Sequence, residues 1–501
     1  MSTTAIQEKT FLGHPRGLYV LFFSEMWERF CYYGMRGLLV LYITKALLEG
    51  DDKAFAIYGA YTGLVYMAPV LGGLIADKIL GYKYAVIFGG ILMAIGEFMI
   101  LGGGLHWLYI GMAVIIIGNG YFKANISSIV GKLYTDQDSR KDSGFTIFYI
   151  GINLGALLAT LVAVWVGETY GFKYGFALAG FGMLLGLLIF IGGRGLYQHA
   201  AMPPNPEDLN KKVFGPLTKF HLTIILSLLL APFLYLLIQN STWVGYLMGA
   251  VALYVIYTLI KAGLDDSKVL LHRMIIFIIL CLLNIIFWSL FEQAGSSLTL
   301  FADRNVNREG FLGFWNMTAG QTQFFNPFFI LVMGTIFSWM WLKLDQWKIN
   351  PNIPAKFGIG IMLVGVGFLV TILGKSAAQD YLVPMWTLVG LYFFHTVGEL
   401  FLSPIGLSMV TKLAPPAMTG TLMGAWFLSF AGSNFMAGSV LAPLTGTGGH
   451  GGGGTETALS AAESLNQYVS TFTQFGWIAV ICGAIVLLAS PLLNKLMHGI
   501  K

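Results

Sequence analysis

Long apolar runs recur from end to end of this 501-residue chain, and a run of about 18 or more such residues with few charges reads as a bilayer-crossing helix. Composition agrees. The chain is 56% hydrophobic and 11% charged, where soluble domains carry about 25% charged residues. Its 63 glycines suit helices that pack closely without a hydrophobic drive between them. The net charge of +5 is ordinary for a membrane protein and points to no nucleic acid. Cys31, Cys281 and Cys482 lie far apart within apolar segments, which argues against a disulfide framework or a metal cluster. The polar first residues run straight into a long spanning segment, so no removed signal peptide is expected.

Fourteen spans are expected, starting near residues 17, 55, 84, 107, 143, 174, 220, 243, 273, 322, 356, 382, 417 and 469. Lys78, Lys83, Arg140, Lys141, Lys211, Lys212, Lys268, Lys343 and Lys348 concentrate in alternate connections, which places both termini in the cytoplasm. The connection from about Arg194 to Lys219, with Pro203, Pro204 and Pro206, separates six spans from the rest. Two spans with few interior charges follow, then six that again carry intramembrane acids. The expected division is a six-helix bundle over 1–200, a linker and inserted helix pair over 201–268, and a second six-helix bundle over 269–501. Two such halves around a midplane site are a common transporter arrangement. The segment Gly73-Leu74-Ile75-Ala76-Asp77-Lys78-Ile79-Leu80-Gly81-Tyr82-Lys83 resembles a loop signature of the major facilitator superfamily. Asp77 and Lys78 would cap that loop. The glycine-rich stretch 446–454 reads as a flexible connector, since no strand precedes it and no Lys-Ser/Thr follows it.

Charges inside these spans narrow the function. At 100° per residue, Glu25, Arg29, Tyr32 and Arg36 fall within an arc of roughly 60° on one helix face, flanked by Glu28 and Tyr33. A charge at mid-bilayer costs on the order of 3 kcal/mol. Seven such groups, Glu25, Glu28, Arg29, Arg36, Lys123, Glu292 and Glu399, would together cost about 20 kcal/mol facing lipid, more than a typical folding stability. They must converge on one another or on a wet cavity. The set holds four acids and three bases, so one proton would make it neutral, a hint of proton linkage. Glu97, without a recognised partner, reads as structural, and His395, one turn before Glu399, reads as a packing residue.

Glu25-Met26-Trp27-Glu28-Arg29-Phe30-Cys31-Tyr32-Tyr33-Gly34 resembles the ExxERFxYYG motif of the proton-dependent oligopeptide transporters, a branch of the major facilitator superfamily. Phe145–Ala156, Phe287–Gln293 and Gly398–Leu407 resemble that family's fifth-, seventh- and tenth-helix segments, in the same order along the chain. The resemblance implies an all-α major facilitator fold of two six-helix halves plus two inserted helices. It also implies a zwitterionic di- or tripeptide substrate. Arg29 and Lys123 would then meet the carboxylate and Glu399 the ammonium. A guanidinium can grip a carboxylate with two parallel hydrogen bonds. Asn153 and Asn326 would match peptide amides, and Tyr32, Tyr33, Tyr66, Trp288 and Trp426 would form pocket walls. The structural alternative for Asn153 is a hydrogen bond between helices, and for Asn326 a cap on a broken turn before Pro327. Proton coupling is implied for Glu25, Glu28, Arg29, Arg36 and Glu292, with Glu292 pairing Arg36. The family often has proline after the fourth-helix lysine, where this chain has Ala124.

The expectation is therefore a proton-coupled peptide importer in the bacterial inner membrane, functional as a monomer, with no cofactor beyond the proton and no metal. A proton-coupled exporter of drug-like molecules is the rival, although it would not need two cations for a carboxylate. No HExxH and no nucleophile motif supports an enzyme.

Overall fold

The computed structural model describes residues 10–135, 137–415, 418–446 and 459–500. Most of the glycine-rich stretch lies outside the described residues. Each segment expected to span carries a helix. In chain order these are α1 (Arg16–Leu41), α2 (Asp51–Leu80), α3 (Tyr82–Ile100), α4 (Gly104–Lys132), α5 (Lys141–Tyr170), α6 (Phe172–Gly192) and α7 (Lys219–Gln239). Then follow α8 (Ser241–Asp266), α9 (Lys268–Asn305), α10 (Gly320–Gln346), α11 (Ile353–Ser376), α12 (Trp386–Leu413), α13 (Thr419–Thr445) and α14 (Ala461–Lys495). Among the described residues, twelve of these are long and apolar enough to cross a membrane. The other two, α1 with 26 residues and α12 with 28, reach at about 1.5 Å per residue the ~30 Å of a hydrocarbon core. Both carry charges of the intramembrane set. Among the described residues, strands are confined to pieces of two or three residues outside the spans.

By internal packing the chain forms two units: residues 1–35 with 67–236, and residues 36–66 with 237–501. The division falls within α1, between Met35 and Arg36. The segment 201–268, read from hydropathy as linker and helix pair, is shared in this grouping, with nearly all of α7 in the first unit and α8 in the second. In the first unit the Tyr121 and Ser227 hydroxyls, 2.6 Å apart, tie α7 to α4, and His106 Nδ1 lies 3.0 Å from the Tyr235 hydroxyl. Ahead of α1, Arg140 donates to the Gly13 carbonyl at 2.8 Å while it grips Asp138. Those hydrogen bonds hold the Asp138 carboxyl down at about 2, so the clasp stays ionised at neutral pH and is lost only as pH falls through that value.

Glycines decide how closely helices approach in each unit. A Cβ on Gly89 of α3 would lie 2.5 Å from the Gly118 carbonyl oxygen of α4, and one on Gly118 would lie 2.7 Å from the Gly89 carbonyl. Gly96 and Gly111 repeat this reciprocal contact about two turns along, at 2.7 and 2.6 Å. In the second unit Gly358 and Gly365 of α11 meet Gly483 and Gly476 of α14 in the same way. Partner numbers fall as those on the first helix rise, so both seams are antiparallel. Backbones in such contact gain dispersion that no larger side chain permits.

Overpacking a tight contact costs about 1–3 kcal/mol. Gly118→Leu and Gly483→Leu should each lower the thermal unfolding temperature in detergent. Gly192→Leu, whose added Cβ meets nothing within 4 Å, should leave it unchanged; equal melting of all three would contradict the seam.

Candidate functional site

The N-terminal part of α1 brings Glu25, Glu28 and Arg29 into the first unit, where none is more than 2% exposed. Arg29 turns its fork onto Glu28: Nη2 donates to Oε1 at 2.6 Å and Nε to Oε2. The same Nε lies 3.2 Å from Glu25 Oε1. Asn119 of α4 donates to Glu28 Oε1 at 3.1 Å. Lys123, one turn further along α4, acts electrostatically on the Glu25 carboxylate. Glu25 Oε2 has no hydrogen-bond partner among the described residues. The Arg29 guanidinium lies 5.2 Å from the centroid of the Tyr32 ring, which meets Tyr33 edge-on.

The fifth-helix segment has a clear physical role here. A Cβ on Gly155 would lie 2.9 Å from Arg29 Cβ and would strike the Met26 carbonyl, so glycine is what lets α5 press against α1 behind the arginine. Asn153 donates to the Tyr149 carbonyl at 3.0 Å, a bond inside its own helix and not between helices. Glu97 is fully buried, with Oε1 3.5 Å from Cys31 Sγ.

The second unit holds the other charged groups. Arg36 forms an ion pair with Glu292 through Nη2, and its Nε donates to the Tyr58 hydroxyl at 2.7 Å. Glu292 opens a tight turn, Glu292–Gly295, that breaks α9 between Phe291 and Ser297. Such a break leaves backbone groups to be satisfied inside the membrane. Gln293 does part of this, donating at 3.0 Å to the carbonyls of Ser289 and Ala437, while Ser297 donates to its Oε1 at 2.6 Å. Gly295 sits where a Cβ would strike the Tyr58 hydroxyl. Glu399 accepts from Asn326 Nδ2 at 2.9 Å, and the same nitrogen lies 3.1 Å from Thr396 Oγ1. No cation lies within ion-pair distance of Glu399 among the described residues. Phe430 gathers Tyr66, Trp288 and Trp426, with ring centroids at 6.4, 5.4 and 5.9 Å. His395 packs between Phe291 and Phe368.

Charge balance therefore differs between the units. Of the seven groups, Glu25 and Glu28 lie with Arg29 and Lys123 in the first unit, whereas in the second Glu292 pairs with Arg36 and Glu399 accepts from Asn326. Within that set the excess acid belongs to the second unit, while Glu97, buried in the first unit, is a further acid outside the set. Among the described residues no group of three or more His, Cys, Asp or Glu is placed to hold a metal ion.

The family model described as PTR2, POT family, matches residues 83–450. The chain belongs to the POT family. Members of this family are transporters, and this POT-family chain is a multi-pass membrane transporter, not an enzyme. It is 33% identical over 489 residues to dipeptide and tripeptide permease A of Proteus mirabilis, covering 96% of each chain. It is 35% identical over 525 residues to the peptide transporter YePEPT of Yersinia enterocolitica, covering 99% of this chain and 98% of that one. The crystal structure of a peptide transporter POT in complex with sulfate resembles it with a TM-score of 0.83, at 34% identity over 98% of each chain.

Four residues of these clusters were not singled out in the sequence. Asn119 precedes Lys123 by one turn, and Thr396 precedes Glu399 by three residues, so helical spacing carried a signal for both. Phe430 likewise stands one turn after Trp426. Tyr58 had none, because only the packing of α2 brings it to Arg36.

Breaking a buried ion pair from one side costs about 3–5 kcal/mol. Glu292→Gln in this POT-family protein should therefore lower the unfolding temperature in detergent more than Glu292→Gln combined with Arg36→Met. Additive losses in that double-mutant cycle would show that the two groups do not depend on each other.

Proposed function

We propose that this transporter imports di- and tripeptides with protons by alternating access. The observation that carries the reading is the separation of recognition groups: Arg29 and Lys123 in one unit, Glu399 with Asn326 in the other. A peptide zwitterion needs a cation for its carboxylate and an anion for its ammonium. The peptide permeases and peptide transporters among its relatives support the substrate class. They disfavour the reading as an exporter of drug-like molecules.

Residue roles follow from the contacts. Arg29 already grips Glu28, so a peptide carboxylate must compete for that guanidinium. Protonating Glu28 or Glu25 weakens the internal grip and frees Arg29 for the substrate. In the second unit, a proton on Glu292 would release Arg36, and the excess carboxylate there gives a proton a place to reside. Glu25, Glu28, Arg29, Arg36 and Glu292 thus form the proposed proton-coupling set. Arg29, Tyr32, Tyr33, Tyr66, Lys123, Asn153, Trp288, Glu292, Asn326, Glu399 and Trp426 form the proposed peptide-binding set. Phe430 joins the aromatic walls. Asn153 spends one amide N–H on the Tyr149 carbonyl, which leaves its second N–H and its oxygen for a peptide. The proton is the only coupling ion proposed, and no cofactor is invoked. The distribution of Lys and Arg supports both termini in the cytoplasm, the bacterial permeases among the relatives support a location in the bacterial inner membrane, and a single chain carries every proposed group. A membrane potential supplies about 2.3 kcal/mol per charge per 100 mV, roughly fifty-fold accumulation when one charge moves with a neutral zwitterion.

Uptake of labelled dialanine into vesicles under an imposed pH gradient tests the reading. Wild-type protein should accumulate it, while Glu25→Gln should lose accumulation yet keep exchange of dialanine across the membrane. No gradient-dependent uptake by the wild type would refute the function; normal accumulation by Glu25→Gln would refute only its coupling role. Glu399→Gln should weaken transport mainly of peptides with a free amino terminus, and an equal loss for N-blocked peptides would remove the ammonium assignment.

A further inference from the structure

Between α9 and α10 the chain turns back on itself in a short hairpin. Phe311 and Trp315 exchange backbone hydrogen bonds at 2.8 and 2.9 Å, and Gly313 N–H donates to the Gly310 carbonyl at 2.8 Å. Gly310, Leu312 and Gly313 take positive φ angles of 62°, 56° and 83°, so the turn is tight, and it holds Leu312 in a conformation that glycine would adopt more easily. Every side chain from Phe311 to Trp315 is apolar or absent. Leu312 is 69% exposed and Phe314 80% exposed. Burying either side chain would be worth about 2 kcal/mol.

The hairpin's surroundings identify what covers it. It connects the end of α9 at Asn305 to the start of α10 at Gly320. Trp315 packs on Phe324 at 5.5 Å, and Phe324 stacks on Phe328 at 5.2 Å. Phe328 begins the exposed stripe Phe328, Val332, Ile336 and Trp339, spaced three or four residues apart on α10. The hairpin thus extends a lipid-facing stripe past the helix end. Beside it, Val306–Asn307 pair with Val383–Pro384, which lead into the exposed Trp386 at the start of α12. Aromatic side chains at span ends mark the interface between headgroups and acyl chains.

We propose that the hairpin Arg308–Met317 inserts its tip, Leu312 and Phe314, into the interfacial region of the bilayer. It is a membrane anchor for the end of α9. Arg308 at its base donates to the carbonyls of Met317 and Asp303 at 3.1 and 3.3 Å. Asp303 in turn pairs with Lys45 at 2.7 Å, and the neighbouring Arg304 grips both oxygens of Asp51 at 2.6 and 2.8 Å. The lipid-held hairpin therefore fixes the base from which these ion pairs reach residues 45 and 51. This inference rests on membrane insertion of the chain and is independent of the substrate.

The test uses the full chain in liposomes, with Cys31, Cys281 and Cys482 replaced by alanine and a single cysteine introduced as Leu312→Cys or, for comparison, Asp380→Cys. Each is labelled with an environment-sensitive fluorophore. The label at 312 should emit further to the blue than that at 380, be quenched by lipids spin-labelled near the headgroup, and be several-fold less quenched by aqueous iodide. Iodide quenching equal to that at 380 would overturn the proposal. So would protection from both quenchers, which would mean that a protein surface, such as a second copy, covers the tip. Should Leu312→Cys fail to fold, Phe314→Cys carries the same readout.

Discussion

The grip of Arg29 on two glutamates of its own helix is the interaction on which the rest of this protein depends. Placing Glu25, Glu28 and Arg29 inside a bilayer is affordable only if each charge finds a partner and the whole cluster is sealed from lipid. The surrounding structure supplies that seal. Asn119 and Lys123 come from α4, and α5 is drawn in behind Arg29 by Gly155, whose missing side chain makes room for the arginine stem. A cluster held by competing charges is also a switch, because one added proton or one arriving carboxylate changes which pair is strongest.

The second unit solves the same problem differently. Its one deep arginine is shared between a direct partner, Glu292, and a hydroxyl, Tyr58, while Glu399 relies on neutral amide and hydroxyl groups. Breaking α9 at Glu292 exposes backbone polar groups; the Gln293 amide donates to the Ser289 carbonyl, and Ser297 in turn satisfies the Gln293 amide oxygen. The break places a carboxylate at the end of a helix segment and not along a smooth face, where its rotamers would be limited by the preceding turn. Irregular backbone and a buried ion-paired carboxylate occur together at Glu292, as expected where structure is kept for transport and not for stability.

Much of this was legible in the residues. Spans followed from apolar length, and the stripe on α1 followed from the 100° helical period. The resemblance to the peptide transporters rested on motifs whose local meaning the structure makes physical: Gly155 is a close-approach site and Glu292 begins a turn. Helical spacing marks Asn119, Thr396 and Phe430 as neighbours of residues already chosen. Tyr58 was not legible, since it depends on which groups the folded helices bring within 3 Å, whereas the bond from Asn153 to the carbonyl four residues back follows helical spacing.

The sequence by itself determined that this chain must be a helical membrane protein with converging intramembrane charges, because lipid penalises polar groups whatever the topology. It also determined the overall excess of one acid in that set. Tertiary structure alone decided where that excess resides, with Arg29 and Lys123 balancing the α1 glutamates and Glu399 left to Asn326. Charge can be counted along a chain, but pairing is set by distances between helices, and those depend on seams such as Gly89–Gly118 that only packing reveals.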